Sequence, residues 1–119
     1  MIAFNEEQPT SDLEEVVSKV FSGSGLLSKF RDFEFRREQQ AMAEATASSL
    51  ESGRSLVVEA GTGVGKSLAY LIPSALHARE RRRKAIISTH TINLQEQLVR
   101  KDLPIVRNLF DGAGSAVLL

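Results

Sequence analysis

An α/β fold built on a parallel sheet is predicted by three features of this sequence. Two short runs, "SLVVE" (55–59) and "KAIISTH" (84–90), are apolar or β-branched without polar alternation, the pattern of strands covered on both faces. Each is followed by a longer stretch whose apolar residues recur at helical spacing. Between the first run and its helix lies "AGTGVGKS" (60–67), with glycine at 61, 63 and 65. Strands alternating with helices of this length imply parallel neighbours joined by right-handed crossovers.

Each element has its own signals. Residues 1–10 read as a loose tail. Ser11 and Glu14 form a capping-box pair, and Leu13, Val16, Val17, Val20 and Phe21 follow on one helical face. "SGSG" (22–25) stops that helix, and "LLSKFRDFEF" (26–35) is a short apolar connector. A second helix runs from Arg36 to about Ser52, rich in Glu, Gln, Ala and Met, with Gly53 as its stop. The first strand is 55–59. The helix after the glycine loop spans about 66–80 and contains Pro73, which it tolerates or kinks around. The second strand has its core at 84–88. A further helix covers 91–103, Pro104 opens another helical stretch, "DGAGS" (111–115) turns, and "AVLL" (116–119) begins a third strand.

Composition bounds the class. The 119 residues suit one domain, and 42% hydrophobic with 25% charged residues is the mix of a globular protein, which argues against disorder. There is no cysteine, so neither disulfides nor thiolate metal sites exist in this chain. The acidic start "MIAFNEEQPTSDLEE" is not a signal peptide, and no apolar run is long enough to span a bilayer. Net charge is zero but uneven. Residues 1–60 carry six Lys/Arg and eleven Asp/Glu, whereas residues 61–119 carry nine and four. A polyanion is drawn to the second half. The run "ARERRRKA" (78–85) by itself reads as a solvated helix end.

The glycine loop carries the chemistry. Ala60, Gly61, Thr62, Gly63, Val64, Gly65, Lys66 and Ser67 match the P-loop pattern except that Ala60 stands at its first glycine. Glycines let backbone N–H groups turn inward around a phosphate. Lys66 would bring positive charge to the β/γ-phosphates and Ser67 a hydroxyl to Mg²⁺. The following helix aims its N-terminal amides and dipole at the same place. A nucleoside triphosphate with Mg²⁺ is the expected ligand.

Two flanking segments narrow the family. "EFRREQQAM" (34–42) precedes the first strand and "ISTHTINLQEQLVRKDLP" (87–104) follows the loop helix. With "EAGTGVGKS" between them, residues 20–110 resemble the start of a DinG-type, XPD-like DNA helicase of superfamily 2, in which alanine is common at the position of Ala60. The resemblance implies a RecA-like P-loop lobe, with residues 1–34 as an N-terminal helical extension and 35–119 as an incomplete first ATP-binding lobe. It implies ATP as the nucleotide and ATP hydrolysis coupled to DNA unwinding with 5'-3' polarity. Gln39 stands at the glutamine that reads adenine, and Phe35 and Arg36 stand around the base. Thr89, His90 and Thr91 match motif Ia, which lines the single-stranded DNA track. Thr91 also reads as a helix N-cap and Phe35 equally as a core residue. An iron–sulfur cluster is a feature of many relatives, but this chain holds none of its ligands.

Other parts of that machine are not in these residues. Glu80, Glu96, Asp102 and Asp111 stand singly, so no acidic box follows Ser67 to activate water, and no second lobe supplies an arginine. The sequence therefore reads as the N-terminal portion of a longer bacterial helicase, cytoplasmic and nucleoid-associated, inactive without the remainder of the chain. A self-standing nucleotide-binding module without catalysis is the alternative. A small-molecule kinase is disfavoured by "STHTINLQEQL".

Overall fold

The computed structural model describes residues 12–61, 63 and 65–110. Its regular elements are helical. They are α1 (Asp12–Val20), a 3₁₀ turn (Leu26–Lys29), α2 (Arg37–Ser52), α3 (Lys66–Arg81), α4 (Ile92–Gln97), a π-helical turn (Leu98–Asp102) and α5 (Leu103–Leu109).

Helix α1 buries Leu13, Val17 and Val20, with Phe21 just beyond its end, and leaves Val16 about half exposed. The Ser11 cap expected at its start lies outside the described residues. The amide of Leu13 is satisfied across the fold, donating to Glu51 Oε1 at 3.0 Å. Gln40, buried on α2, ties the same two helices together. Its Nε2 donates to the Ser18 carbonyl at 2.9 Å while Arg37 Nη1 donates to its Oε1 at 2.8 Å. Each such bond offsets the desolvation of a buried amide that would otherwise cost about 1–3 kcal/mol.

Helix α2 ends on Gly53 in the left-handed conformation, as its sequence predicts. Its inner face is Gln39, Ala43 and Ala47, one residue per turn, all buried. Small side chains there let α3 approach closely through Ala69, which is fully buried as well. Phe21, Leu27, Ile72, Val17, Val106 and Pro73 are the largest fully buried side chains, so the core joins α1, the 3₁₀ turn, α3 and α5. Pro73 sits within α3 and the helix continues through it to Arg81.

The expected parallel sheet is not seen in the structure. Among the described residues no strand is formed. Residues 54–60 and 83–89 are non-helical and form no strand ladder, and Val57 is 97% and Ile86 89% exposed. The physical reason is mutual dependence. A strand satisfies its amides only in a ladder, and two five-residue strands bury too little to hold each other. The third expected strand, 115–119, lies outside the described residues.

The helix expected over 91–103 is also more complex. Thr91 caps α4, accepting from Leu94 N–H at 3.2 Å, but the ladder widens at Leu98–Asp102, where Leu103 N–H bonds to the Leu98 carbonyl. Pro104 brings no amide and crowds the preceding turn, so an ordinary α ladder would break here anyway.

Candidate nucleotide-binding site

The site sits where the N-terminal ends of α2 and α3 meet. Gly63 (φ 80°) and Gly65 (φ 82°) both adopt the left-handed region, and Gly65 is the N-cap of the 16-residue α3. These dihedrals bend the loop so that the helix start faces it. Gln39, one turn above Ala43 on the buried face of α2, reaches the loop directly. Its Nε2 donates to the Gly65 carbonyl at 3.0 Å. A Cβ at Gly65 would collide with that same Nε2. Glycine is thus required at 65 twice over, by backbone conformation and by contact.

Lys66 reaches back across the loop, its Nζ donating to the Ala60 carbonyl at 3.0 Å. The ammonium therefore stands over the loop mouth on an exposed side chain. Ser67 follows on the first turn of α3, half-buried. Arg36, the N-cap residue of α2, pairs with Glu34 at 3.2 Å, and its Nη1 would lie 3.9 Å from a Cβ on Gly63. A guanidinium, an ammonium, the first-turn amides of a long helix and two left-handed glycines thus converge. That donor set fits a polyphosphate. Thr62 and Val64 lie outside the described residues.

Phe35 is 45% exposed, and a Cβ on Gly23 would meet its ring at 4.0 Å. It is not part of the buried core. Thr89, His90 and Thr91 stand together before α4. The Thr89 hydroxyl donates to the Thr91 carbonyl at 3.1 Å, the Thr91 hydroxyl caps α4, and His90 is exposed. The structure therefore gives Thr91 a helix-capping bond, and His90 the freest side chain of the three.

Sequence reasoning passed over Gln40 and read Asp102 only as one of several acids standing singly. Gln40 looks like its neighbour Gln39 on a polar helix, and only the fold separates the two. Asp102 is 4% exposed, with Gln97 Nε2 3.5 Å from its Oδ2. Burial pushes its carboxyl above the ordinary 3.8, opposed by the Gln97 bond and the Lys101 charge. The signal for it was spacing, since Leu98, Asp102 and Val106 recur every fourth residue. Among the described residues no group of three His, Cys, Asp or Glu side chains is placed to hold a metal ion, and no helix is long and apolar enough to cross a membrane.

A family model described as DEAD/DEAH box helicase matches residues 36–112. The chain is similar to the ATP-dependent DNA helicase YoaA of Haemophilus influenzae, 40% identical over 109 residues, covering 91% of this chain and 16% of that protein. It is similar to YoaA of Escherichia coli, 45% identical over 100 residues, covering 83% and 15%. It is also similar to the ATP-dependent helicase DinG of Mycobacterium tuberculosis, 55% identical over 69 residues, covering 58% and 10%. The chain therefore spans no more than about a sixth of the length of these relatives. No solved structure matches it.

Proposed function

Because the chain belongs to the DEAD/DEAH box helicase family, we propose that it is the ATP-binding start of a DNA helicase of the YoaA and DinG kind. The observation that carries this reading is the bond from Gln39 to Gly65, which joins the helix expected to read adenine to the loop expected to hold phosphates.

The chemistry follows from the donors. Lys66 leaves the Ala60 carbonyl for the β/γ-phosphates, so one charge-assisted bond replaces a neutral one. The α3 amides and Gly63–Gly65 backbone hold the remaining phosphate oxygens, and Arg36 screens their charge. Ser67 holds Mg²⁺, which supplies neutralisation of the charge that develops on the phosphates. Gln39 has its Nε2 committed to Gly65, which leaves Oε1 as its free polar atom. An acceptor suits the adenine N6 amine and rejects the guanine O6. Phe35, exposed beside this helix, is available to stack on the base. Thr89, His90 and Thr91 are proposed to meet single-stranded DNA at its sugar-phosphate backbone, without base preference.

Residues 1–34 are then a helical extension and 35–119 the first part of a RecA-like lobe. In a protein of the relatives' length, 55–59, 84–88 and 115–119 would become neighbouring parallel strands, and the remaining lobe would complete the machinery for unwinding, with the 5'-3' polarity the resemblance implies. A bacterial helicase of this kind would work on the nucleoid, in the cytoplasm.

The test is nucleotide binding by the 119-residue chain, read by fluorescence of a labelled ATP. Lys66→Ala is expected to weaken binding at least about tenfold, the loss of one charged phosphate contact. Gln39→Ala is expected to equalise ATP and GTP. Unchanged affinity in the first variant removes the phosphate site, and an unchanged ATP preference in the second removes Gln39 from the base.

A further inference from the structure

The basic run at the far end of α3 has structural features that a merely solvated surface does not need. Residues 79–84, Arg-Glu-Arg-Arg-Arg-Lys, carry five positive charges and one negative. Arg81, Arg82, Arg83 and Lys84 are all exposed, and among the described residues none of the four makes an ion pair. The one cation with a structural task is Arg79, whose Nη1 donates to the Phe110 carbonyl at the end of α5.

Cations near a helix C-terminus commonly serve the dipole and the free carbonyls. Here two of those carbonyls, Ala78 and Arg79, are answered by the backbone. Arg82 N–H bonds to the carbonyls of Ala78 and Arg79, and Arg83 N–H to Ala78 at 2.8 Å. None of these bonds comes from the guanidinium of Arg81, Arg82 or Arg83, and that of Arg79 is spent on Phe110. Moreover, Arg82 holds φ 52°, the sole left-handed non-glycine backbone among the described residues. Glycine is the default at that position, because a side chain there is strained. An arginine stands where glycine folds better, flanked by Arg81 and Arg83 and without an ion pair of its own.

We propose that Arg81, Arg82, Arg83 and Lys84 form a second contact for the phosphodiester backbone of single-stranded DNA. It stands apart from the phosphate cradle, since α3 separates the two by about 24 Å at about 1.5 Å per residue. Four unpaired cations on consecutive residues match a linear array of single charges better than a compact triphosphate. The site reads no bases, because lysine and arginine side chains on an exposed turn meet phosphate first. The choice of DNA as the polyanion rests on the helicase reading above, whereas the existence of the anion surface does not.

The experiment is fluorescence anisotropy of labelled oligothymidylate and oligoadenylate with the 119-residue chain across a salt series. Each phosphate contact on a single strand contributes about 0.7 to the log–log salt slope. Arg82→Gly is expected to make the slope shallower by about 0.7, and replacement of all four cations by Gln by about 3, equally for both oligonucleotides. Arg82→Gly relieves the strained backbone, so its melting temperature is expected to equal or exceed that of the parent. A loss of DNA binding with that result cannot be unfolding. An unchanged slope in the fourfold variant overturns the proposal. Displacement of the oligonucleotide by polyglutamate of matched charge, at equal concentration, also overturns it and marks an acidic-polypeptide surface. A parent chain that binds ATP through Lys66 but no oligonucleotide overturns the DNA contact while leaving the nucleotide reading intact.

Discussion

At the residue scale the structure turns on Gly65. Its carbonyl takes the Gln39 amide, its φ of 82° is left-handed, and its missing Cβ leaves the space that Nε2 fills. Gly65→Ala is expected to destabilise the fold by about 1–3 kcal/mol, the range for a strained backbone position. Part of that cost is collision with Gln39, so adding Gln39→Ala should recover some of it. In a double-mutant cycle measured by urea unfolding, the two substitutions should couple by more than about 0.5 kcal/mol. Strict additivity would mean that the helix and the loop do not touch in solution. The glycine loop was legible because few tasks besides cradling phosphate require glycines, lysine and serine at that spacing. The role proposed for Gln39 came only through resemblance, since a glutamine on a polar helix carries no mark of burial. Gln40, buried beside it, escaped for that reason.

At the element scale, α1, α2 and α3 follow their apolar spacing and their stop signals, so the helices were readable to within a residue or two. Among the described residues the strands expected at 55–59 and 84–88 are not formed, because strand formation depends on partners and helix formation on neighbours along the chain. Residues 55–59 and 84–88 have the composition of buried strands, and composition cannot supply a ladder. Asp102 lies at the other limit of legibility, a carboxyl on an apolar seam. Burial raises its pKa, so the folded chain holds that proton more tightly than the unfolded chain does. Its stabilising contribution is complete below the ordinary carboxylate value and is lost as pH rises through the raised one. Asp102→Asn should therefore raise the urea midpoint near neutral pH, with a gain that shrinks toward the ordinary carboxylate range. A gain independent of pH would place the cause in packing rather than ionisation.

At the scale of the whole molecule, apolar surface is unevenly covered. The helical core hides Phe21, Leu27 and Ile72, while Val57 and Ile86 stand almost fully in water. Such short β-branched segments, each with a single charge at one end, are hazards for association when exposed. Val57→Lys is expected to change the unfolding free energy of the 119-residue chain by less than about 0.5 kcal/mol, as for an ordinary surface site. It should also reduce aggregation, measured by light scattering. A loss of several kcal/mol would show that 55–59 is covered in solution and would restore the paired strand. The charge division has its own reach, since the basic second half contains both the loop lysine and the run beyond α3, at opposite ends of one helix.

The π-helical turn works as a phase corrector. Leu94, Leu98, Asp102 and Val106 recur at strict intervals of four, and the last three are buried while Leu94 is partly so. On a helix of 3.6 residues per turn, each interval of four overshoots by about 40°, so three intervals would carry the series about 120° around the cylinder. A stretch closed by the bond from Leu103 to Leu98 takes up more residues per revolution and turns the series back. A repeat that does not divide the helical period is thereby kept on one seam, much as a vernier reconciles two mismatched rulings.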